Sequence, residues 1–178
     1  DLWIEGIAFD SRAVKPGYLF VAIPGTQVDG WTYVEAALKQ GAAAVITQRT
    51  DVALPNQEVA LLVVEDAASA LAKVAECWHD YPSKAMRLIG VTGTNGKTTV
   101  TSLLHDLFTD LGFRCGLLST VEVRIGTEKL KATHTTPDAL AISSNLAAMR
   151  EAGVDYVFME VSSHAMVQQR TAGLHFAG

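Results

Sequence analysis

Cysteine is scarce in this sequence: Cys77 and Cys115 are the two in 178 residues, and no Cys-x-x-Cys pair occurs. That argues against a disulfide framework or a thiolate metal site. Both cysteines lie in apolar neighbourhoods and read as reduced core thiols of a cytoplasmic protein. Long blocks of one charge are missing as well. There is no run of five like charges and no basic stripe, and the net charge is −5, so nucleic acid is not an expected partner. No apolar run approaches the ~20 residues that span a bilayer, and no signal-peptide pattern is visible, so no membrane association is expected. Aromatics make up 7% of the residues. The esterase pattern Gly-x-Ser-x-Gly is absent.

What is present is a globular composition, 49% hydrophobic and 19% charged, long enough for one large or two small domains. Abundant alanine and valine suit an α/β protein with closely packed helices and strands. The chain opens at Asp1 rather than Met and closes on "GLHFAG", where an apolar strand starts. It reads as a piece of a longer protein.

In the first half, "GIAFDSR", "GYLFVAI", "AAAVIT" and "VALLVV" read as short strands, the last two buried. "TYVEAALKQG" reads as a helix with Tyr33, Ala36, Ala37 and Gln40 on one face, and residues 66–81 as a helix with Ala67, Ala70, Leu71, Val74, Ala75 and Trp78 at helical spacing. Pro82 ends that helix, and "PSKAM" reads as a linker, giving domains 1–83 and 84–178. The second half alternates. "RLIGVT" is a strand of the doubly buried kind. Helix 97–111 closes at Gly112, "RCGLLST" is a strand, and a hairpin turns around Gly126. A helix with Thr136 as N-cap and Pro137 in its first turn ends at Gly153, and "DYVFMEVSS" is a buried strand. Strand, helix, strand, helix, strand predicts a doubly wound parallel sheet in the second domain, preceded by a small α/β domain.

"VTGTNGKTTV", residues 91–100, sits between a strand and a helix, as a phosphate-binding loop does. The general pattern would put its first glycine at position 91, where this sequence has valine. Gly93 and Gly96 allow backbone N–H groups to face an anion, Lys97 is suited to the β- and γ-phosphates, and the Thr98 hydroxyl to Mg²⁺. A Gly-rich turn with a solvated lysine is the plainer alternative. Glu160, after four apolar residues at a strand's carboxyl end, is a candidate to hold Mg²⁺ directly or through water; the alternative is an ion pair with a neighbouring Lys or Arg. Ser162, Ser163 and His164 are too close in sequence to form a triad, and read as a helix cap or a substrate-binding loop. "HTTPD", residues 134–138, fits a helix cap and an anion-binding helix start equally well.

Taken together, "GVTGTNGKTT", "TTPD", "MEVSSHAMVQQR" and "FDSR…GYLFVAIPGTQVDG" resemble the Mur ligases over nearly the whole chain. "EVSSH" followed by "VQQR" is the most specific part and resembles the branch that adds the third amino acid, as against the other branches and folylpolyglutamate synthase. In this superfamily the loop lacks the first glycine, so Val91 is the expected residue. The resemblance implies an ATP- and Mg²⁺-dependent amide ligase of peptidoglycan synthesis. Such an enzyme converts the carboxylate of UDP-N-acetylmuramoyl-L-Ala-D-Glu to an acyl phosphate, which the amine of meso-diaminopimelate or L-lysine attacks. It implies a monomer in which Gly93, Thr94, Asn95, Gly96, Lys97, Thr98 and Thr99 bind ATP, Thr98 and Glu160 hold Mg²⁺, and Lys97 and Glu160 are catalytic. Phe9, Ser11, Thr26, Gln27 and Val28 match positions for the uridine nucleotide. His134, Thr135, Thr136, Ser162, Gln168 and Arg170 match positions around the muramyl-peptide, with His134 standing where some members carry asparagine. The resemblance further implies that the rest of the central domain and a third domain complete the catalyst, so the 178 residues alone are not expected to turn over. Another Mur-type ligase, a P-loop nucleotide-binding module and a kinase are the competing readings.

Overall fold

The computed structural model describes residues 2–25, 28–55, 58–126, 128–131 and 137–178. The chain divides into two compact units, Asp1–Leu71 and Ala72–Gly178, upstream of the boundary expected at Pro82, where Pro82–Lys84 forms a 3₁₀ turn with Pro82 and Ser83 buried.

The first unit holds four parallel strands, β1 (Gly6–Ala8), β2 (Tyr18–Ala22), β3 (Ala44–Thr47) and β4 (Ala60–Val63), in the spatial order β1-β2-β3-β4. Phe20, Ala22 and Val45 from the two central strands pack with Ala8, Val34 and Ala37. β4 is less buried than its apolar sequence suggests: Leu62 and Val63 are 46% and 49% exposed. The strand is at the sheet edge, so composition alone overstated its cover. The helix after β2 is also shorter than expected. Asp29 caps a 3₁₀ turn, Gly30–Tyr33, through Trp31 N–H, and α1 covers only Val34–Lys39. Its buried face is Val34 and Ala37, while Tyr33 is exposed. The change of helix type at residue 34 rotates the face by which Tyr33 would have joined Ala37.

The division between the units falls within α2 (Ala67–Trp78). Ala67, Leu71 and Ala75 are buried as the spacing predicts, with Ala72 beside them, while Ala70 and Val74 are half-buried and Trp78 and Cys77 exposed. The reading of both cysteines as core thiols therefore holds for Cys115 alone. Burial raises the Cys115 thiol pKa above its ordinary value.

The second unit contains β5 (Arg87–Val91), α3 (Lys97–Asp110), β6 (Cys115–Leu118), β7 (Glu122–Ile125), β8 (Glu128–Lys131), α4 (Ala139–Glu151), β9 (Tyr156–Glu160) and α5 (Ser163–Val167). The sheet order is β5-β9-β6-β7-β8. β5, β9 and β6 are parallel, and β7 and β8 extend the sheet as an antiparallel hairpin. Phe176 pairs in parallel with Leu88 on the other flank of β5. The two-residue period of β9 sorts its side chains by face. Val157 and Met159 pack with Ile142, Leu146 and Met149 of α4. Phe158 and Tyr156 pack with Leu104 and Phe108 of α3. The N-cap of α4 is Asp138, whose carboxylate accepts from Ala141 N–H at 2.9 Å. Thr136, the expected cap, lies outside the described residues, and the helix starts after Pro137 rather than with it. Among the described residues no helix is long and apolar enough to cross a membrane.

Candidate functional site

The carboxyl ends of β5, β9 and β6 lie side by side, where an open parallel sheet binds its ligands. β5 leads into loop 92–96, and α3 starts at Lys97. Valine is acceptable at position 91 because that residue is still in the strand. It is in register with Glu160, and its carbonyl accepts from Val161 N–H at 2.9 Å. The demanding backbone comes later: Gly93 has φ +150°, and Gly96, the N-cap of α3, has φ +80°. Only glycine adopts such angles without strain. A Cβ at Gly96 would meet nothing within 4 Å, and one at Gly93 would meet only the Asn95 carbonyl at 3.7 Å. These glycines therefore serve backbone direction rather than close packing, and the space over the loop is open. The first N–H groups of α3 and its positive dipole end lie beside it. Lys97 Nζ donates to the Gly93 carbonyl at 2.7 Å, so the cation folds onto the loop. Thr94, Asn95 and Thr99 are exposed.

Strand alternation puts Glu160 on the same face as Phe158 and Tyr156, the face that α3 covers. The Phe108 ring lies 4.8 Å from that of Tyr156 and 5.2 Å from that of Phe158. Glu160 is buried, and its Oε2 accepts from Thr98 Oγ1 at 2.9 Å. The residues expected to share a metal ion are thus in direct contact. The partners of Glu160 are threonines, Thr98 and Thr120, rather than the lysine or arginine of the alternative reading. A carboxylate and a hydroxyl are hard oxygen donors, and Mg²⁺ is commonly held by one or two such groups plus phosphate and water. The pair fits that ion. Among the described residues no three His, Cys, Asp or Glu side chains gather as a self-sufficient metal cage.

Glu160 leads into the next segment. Ser162 caps α5, its hydroxyl accepting from Ala165 N–H at 3.1 Å, which commits it to the cap and not to a triad. Gln168 Nε2 lies 2.9 Å from His164 Nε2, and Gln168 Oε1 accepts from Arg170 Nε at 2.9 Å. Gln168 and Arg170 are therefore brought together with His164. His134, Thr135 and Thr136 lie outside the described residues.

In the first unit, Phe9 and Ser11 follow β1, and Val28 lies in the loop after β2. The two strands are parallel neighbours, so the topology brings both loops to one edge. Phe9 and Val28 are exposed, and Ser11 is buried. Asp10 caps the turn Ser11–Ala13 and chelates Arg12, whose hydrogen bond holds the Asp10 carboxyl pKa below its usual value. The loop after β2 is closed by a Pro24–Asp29 bridge and by Gly25 N–H to the Val28 carbonyl at 3.0 Å. Thr26 and Gln27, between them, lie outside the described residues.

Three side chains of consequence escaped the sequence reading. Thr120 and Ser119 follow β6, and their role depends on β9 inserting between β5 and β6, which no local pattern reveals. Glu76 is buried within α2 beside Ser83 and Ser143. A signal for Glu76 existed, since it is next to Ala75 and four positions after Ala72 on the buried face of the helix.

Two family descriptions match the chain. One is the Mur ligase middle domain, over residues 91–177, and the other is the Mur ligase family, catalytic domain, over residues 3–79. The chain is 46% identical over 178 residues to the UDP-N-acetylmuramoyl-L-alanyl-D-glutamate--2,6-diaminopimelate ligase of Cytophaga hutchinsonii, covering 100% of this chain and 37% of that protein. It is 46% identical over 175 residues to the protein of the same name from Parabacteroides distasonis, covering 98% and 36%. The chain thus spans little more than a third of the length of these relatives. A solved structure of a UDP-N-acetylmuramoyl-L-alanyl-D-glutamate--2,6-diaminopimelate ligase superimposes with TM-score 0.78 at 31% identity, covering 97% of this chain and 35% of that one. MurF ligase from Thermotoga maritima in complex with ADP shares the fold, with TM-score 0.55 at 23% identity over 92% of this chain and 33% of that one. From residue 3 to residue 177, interrupted only at 80–90, the chain belongs to the Mur ligase family.

Proposed function

We propose that the chain is part of an ATP-dependent ligase that joins meso-diaminopimelate to UDP-N-acetylmuramoyl-L-Ala-D-Glu in peptidoglycan synthesis. The observation that carries this reading is the 2.9 Å bond from Thr98 to Glu160, which joins the phosphate-loop helix to the end of β9. The diaminopimelate-ligase names of the relatives support the choice of substrate. Within this reading, residues 1–83 bind the UDP-sugar, and residues 84–178 are the first part of the ATP-binding domain. The enzyme is monomeric and cytoplasmic.

The chemistry sets the requirements. A carboxylate becomes a useful electrophile only when one oxygen is turned into a leaving group. ATP supplies the phosphoryl group, the diaminopimelate amine displaces phosphate from the acyl phosphate, and the products are the amide, ADP and phosphate. The approach of two anions has to be offset by positive charge. Lys97 leaves the Gly93 carbonyl to meet the β- and γ-phosphates, while the backbone N–H groups of residues 93–99 cradle them. Thr98 and Glu160 would hold Mg²⁺, which when bound screens the phosphate charge. Arg170, steered by Gln168, offers a planar fork to a carboxylate or phosphate of the muramyl-peptide, and Ser162, His134, Thr135 and Thr136 are further muramyl-peptide residues in this reading. Phe9, Ser11, Thr26, Gln27 and Val28 bind the uridine nucleotide.

The test is ADP formation by the full-length enzyme. It is expected to require UDP-N-acetylmuramoyl-L-Ala-D-Glu and diaminopimelate together, with one amide formed per ADP. ADP release coupled to a phosphorylated product without an amine would instead identify a kinase. Calorimetric titration of the muramyl-dipeptide nucleotide that gave no binding to the folded enzyme would remove the ligase reading.

A further inference from the structure

Oε2 of Glu160 receives more than the Thr98 hydroxyl. Thr120 donates to the same oxygen twice, from its backbone N–H and from Oγ1, both at 3.3 Å. Thr98 follows β5, Thr120 follows β6, and Glu160 ends β9, the strand between them. Three adjacent strand ends therefore converge on one atom.

Thr120 is held in place by its neighbour. The buried Ser119 hydroxyl accepts from Val121 N–H at 3.2 Å and from Glu122 N–H at 3.0 Å, and donates to the Glu122 carbonyl at 2.9 Å. Ser119 N–H bonds the same carbonyl at 3.1 Å. Four bonds around one serine lock the turn, so the direction of the Thr120 N–H is set by the fold. Donors gathered on one carboxylate oxygen restrict rotation of the group and leave the lone pairs of Oε1 outside these three bonds. A hydroxyl has one proton and two lone pairs, so Thr98 can donate to Glu160 while its oxygen still faces a cation.

We propose that Thr120, a residue outside the phosphate loop and outside the expected ligands, is a positioning residue for the metal. It pins Oε2 of Glu160, so that Oε1 and the Thr98 oxygen are the atoms offered to a divalent cation or its water. Outer-shell partners of this kind orient metal ligands and contribute to metal affinity. The inference rests on the nucleotide-site reading given above.

The experiment uses the full-length enzyme and calorimetric titration of a non-hydrolysable ATP analogue at graded Mg²⁺ concentrations. Thr120→Val keeps the shape and the N–H but removes the hydroxyl. It should raise the Mg²⁺ concentration for half-maximal binding by about three- to tenfold, at and below the bottom of the roughly ten- to hundredfold range of outer-shell effects because the contacts are long. Analogue affinity without Mg²⁺ should be unchanged. Thr120→Ser keeps the hydroxyl and should stay within about twofold of the unmodified enzyme. Thr120→Ala must reproduce the valine shift, and it decides the matter if the valine variant folds poorly. Mg²⁺ dependence in both hydroxyl-free variants equal to that of the unmodified enzyme would overturn the role of Thr120 alone. So would an equal loss of affinity with and without Mg²⁺. Binding by the unmodified enzyme that ignores Mg²⁺ would instead remove the metal-site reading, and this inference with it.

Discussion

Glu76 and Glu160 are two buried carboxylates of the second unit, 1% and 7% exposed, and each is surrounded by hydroxyl-bearing residues. Glu76 spends both oxygens on structure. Oε2 accepts from Ser83 Oγ at 2.6 Å and Ser83 N–H at 3.4 Å, and Oε1 accepts from Ser143 Oγ at 3.2 Å. Ser83 Oγ in turn accepts from His175 N–H at 3.0 Å. The group thereby joins α2, the Pro82–Lys84 turn and α4. Glu160 receives its three bonds on one oxygen, at the carboxyl end of a central parallel strand, beside a glycine loop with open space over it. A cage of hydroxyls around a carboxylate is therefore no mark of function by itself. What sets Glu160 apart is that its three bonds fall on one oxygen, at adjacent strand ends beside the glycine loop.

This contrast breaks if the two glutamates respond alike to substitution. Glu160→Gln removes the negative charge but keeps the size. It should lower Mg²⁺-dependent turnover of the full-length enzyme by about a hundredfold or more, since metal stabilisation of phosphoryl charge is worth several kcal/mol. Its melting temperature should hardly move. Glu76→Ala should do the reverse. It leaves Ser83 and Ser143 without their acceptor and opens a cavity, which costs about 2–4 kcal/mol of stability with kcat retained. Calorimetric melting beside initial-rate assays separates the two outcomes. If Glu76→Ala lost activity and not stability, the division into structural and functional carboxylates would fail. Ser143→Ala removes a single donor from Glu76 and should cost about 1 kcal/mol, a smaller step along the same axis, read by the same melting curves.

The sequence made one side of this contrast visible and hid the other. Loop 91–100 was recognisable because a strand, glycines, a lysine and a helix follow one another within a few residues. Glu160 could be placed because four apolar residues preceded it, and strand alternation then assigned it to the α3 face. Glu76 went unread because the apolar spacing of α2 drew attention to its alanines and leucine, and because "PSKAM", which supplies Ser83, had the composition of a linker. Thr120 depends on the strand order β5-β9-β6, a long-range fact with no local trace. Edge position explains β4, and the exposed Cys77 reflects the turn of α2 on which it falls. In each case chain-local chemistry was legible, and what depended on a partner distant in sequence was not.

A third carboxylate, Asp106 on α3, sharpens the comparison from the solvent side. Its side chain is 61% exposed, and it takes the His105 Nδ1–H at 2.9 Å and an Arg124 guanidinium N–H at 3.0 Å. An ionised carboxylate only accepts, so His105 is the donor. The His105 hydrogen bond first, and then the charge of Arg124, hold the Asp106 pKa below its ordinary value. A depressed folded-state pKa contributes stability that is fully present above the unfolded value of about 3.9 and is lost as pH falls through the folded one. Asp106→Asn has no such contribution at any pH. The variant should therefore melt slightly below the unmodified protein at pH 7, with the gap closing in the acid range below about pH 4. Because the group is exposed, the gap should be small and should shrink further in high salt. Melting curves of both proteins across that range decide it. A gap independent of pH and salt would mean that Asp106 acts through its hydrogen bonds and packing, as Glu76 does, rather than through charge at an open surface.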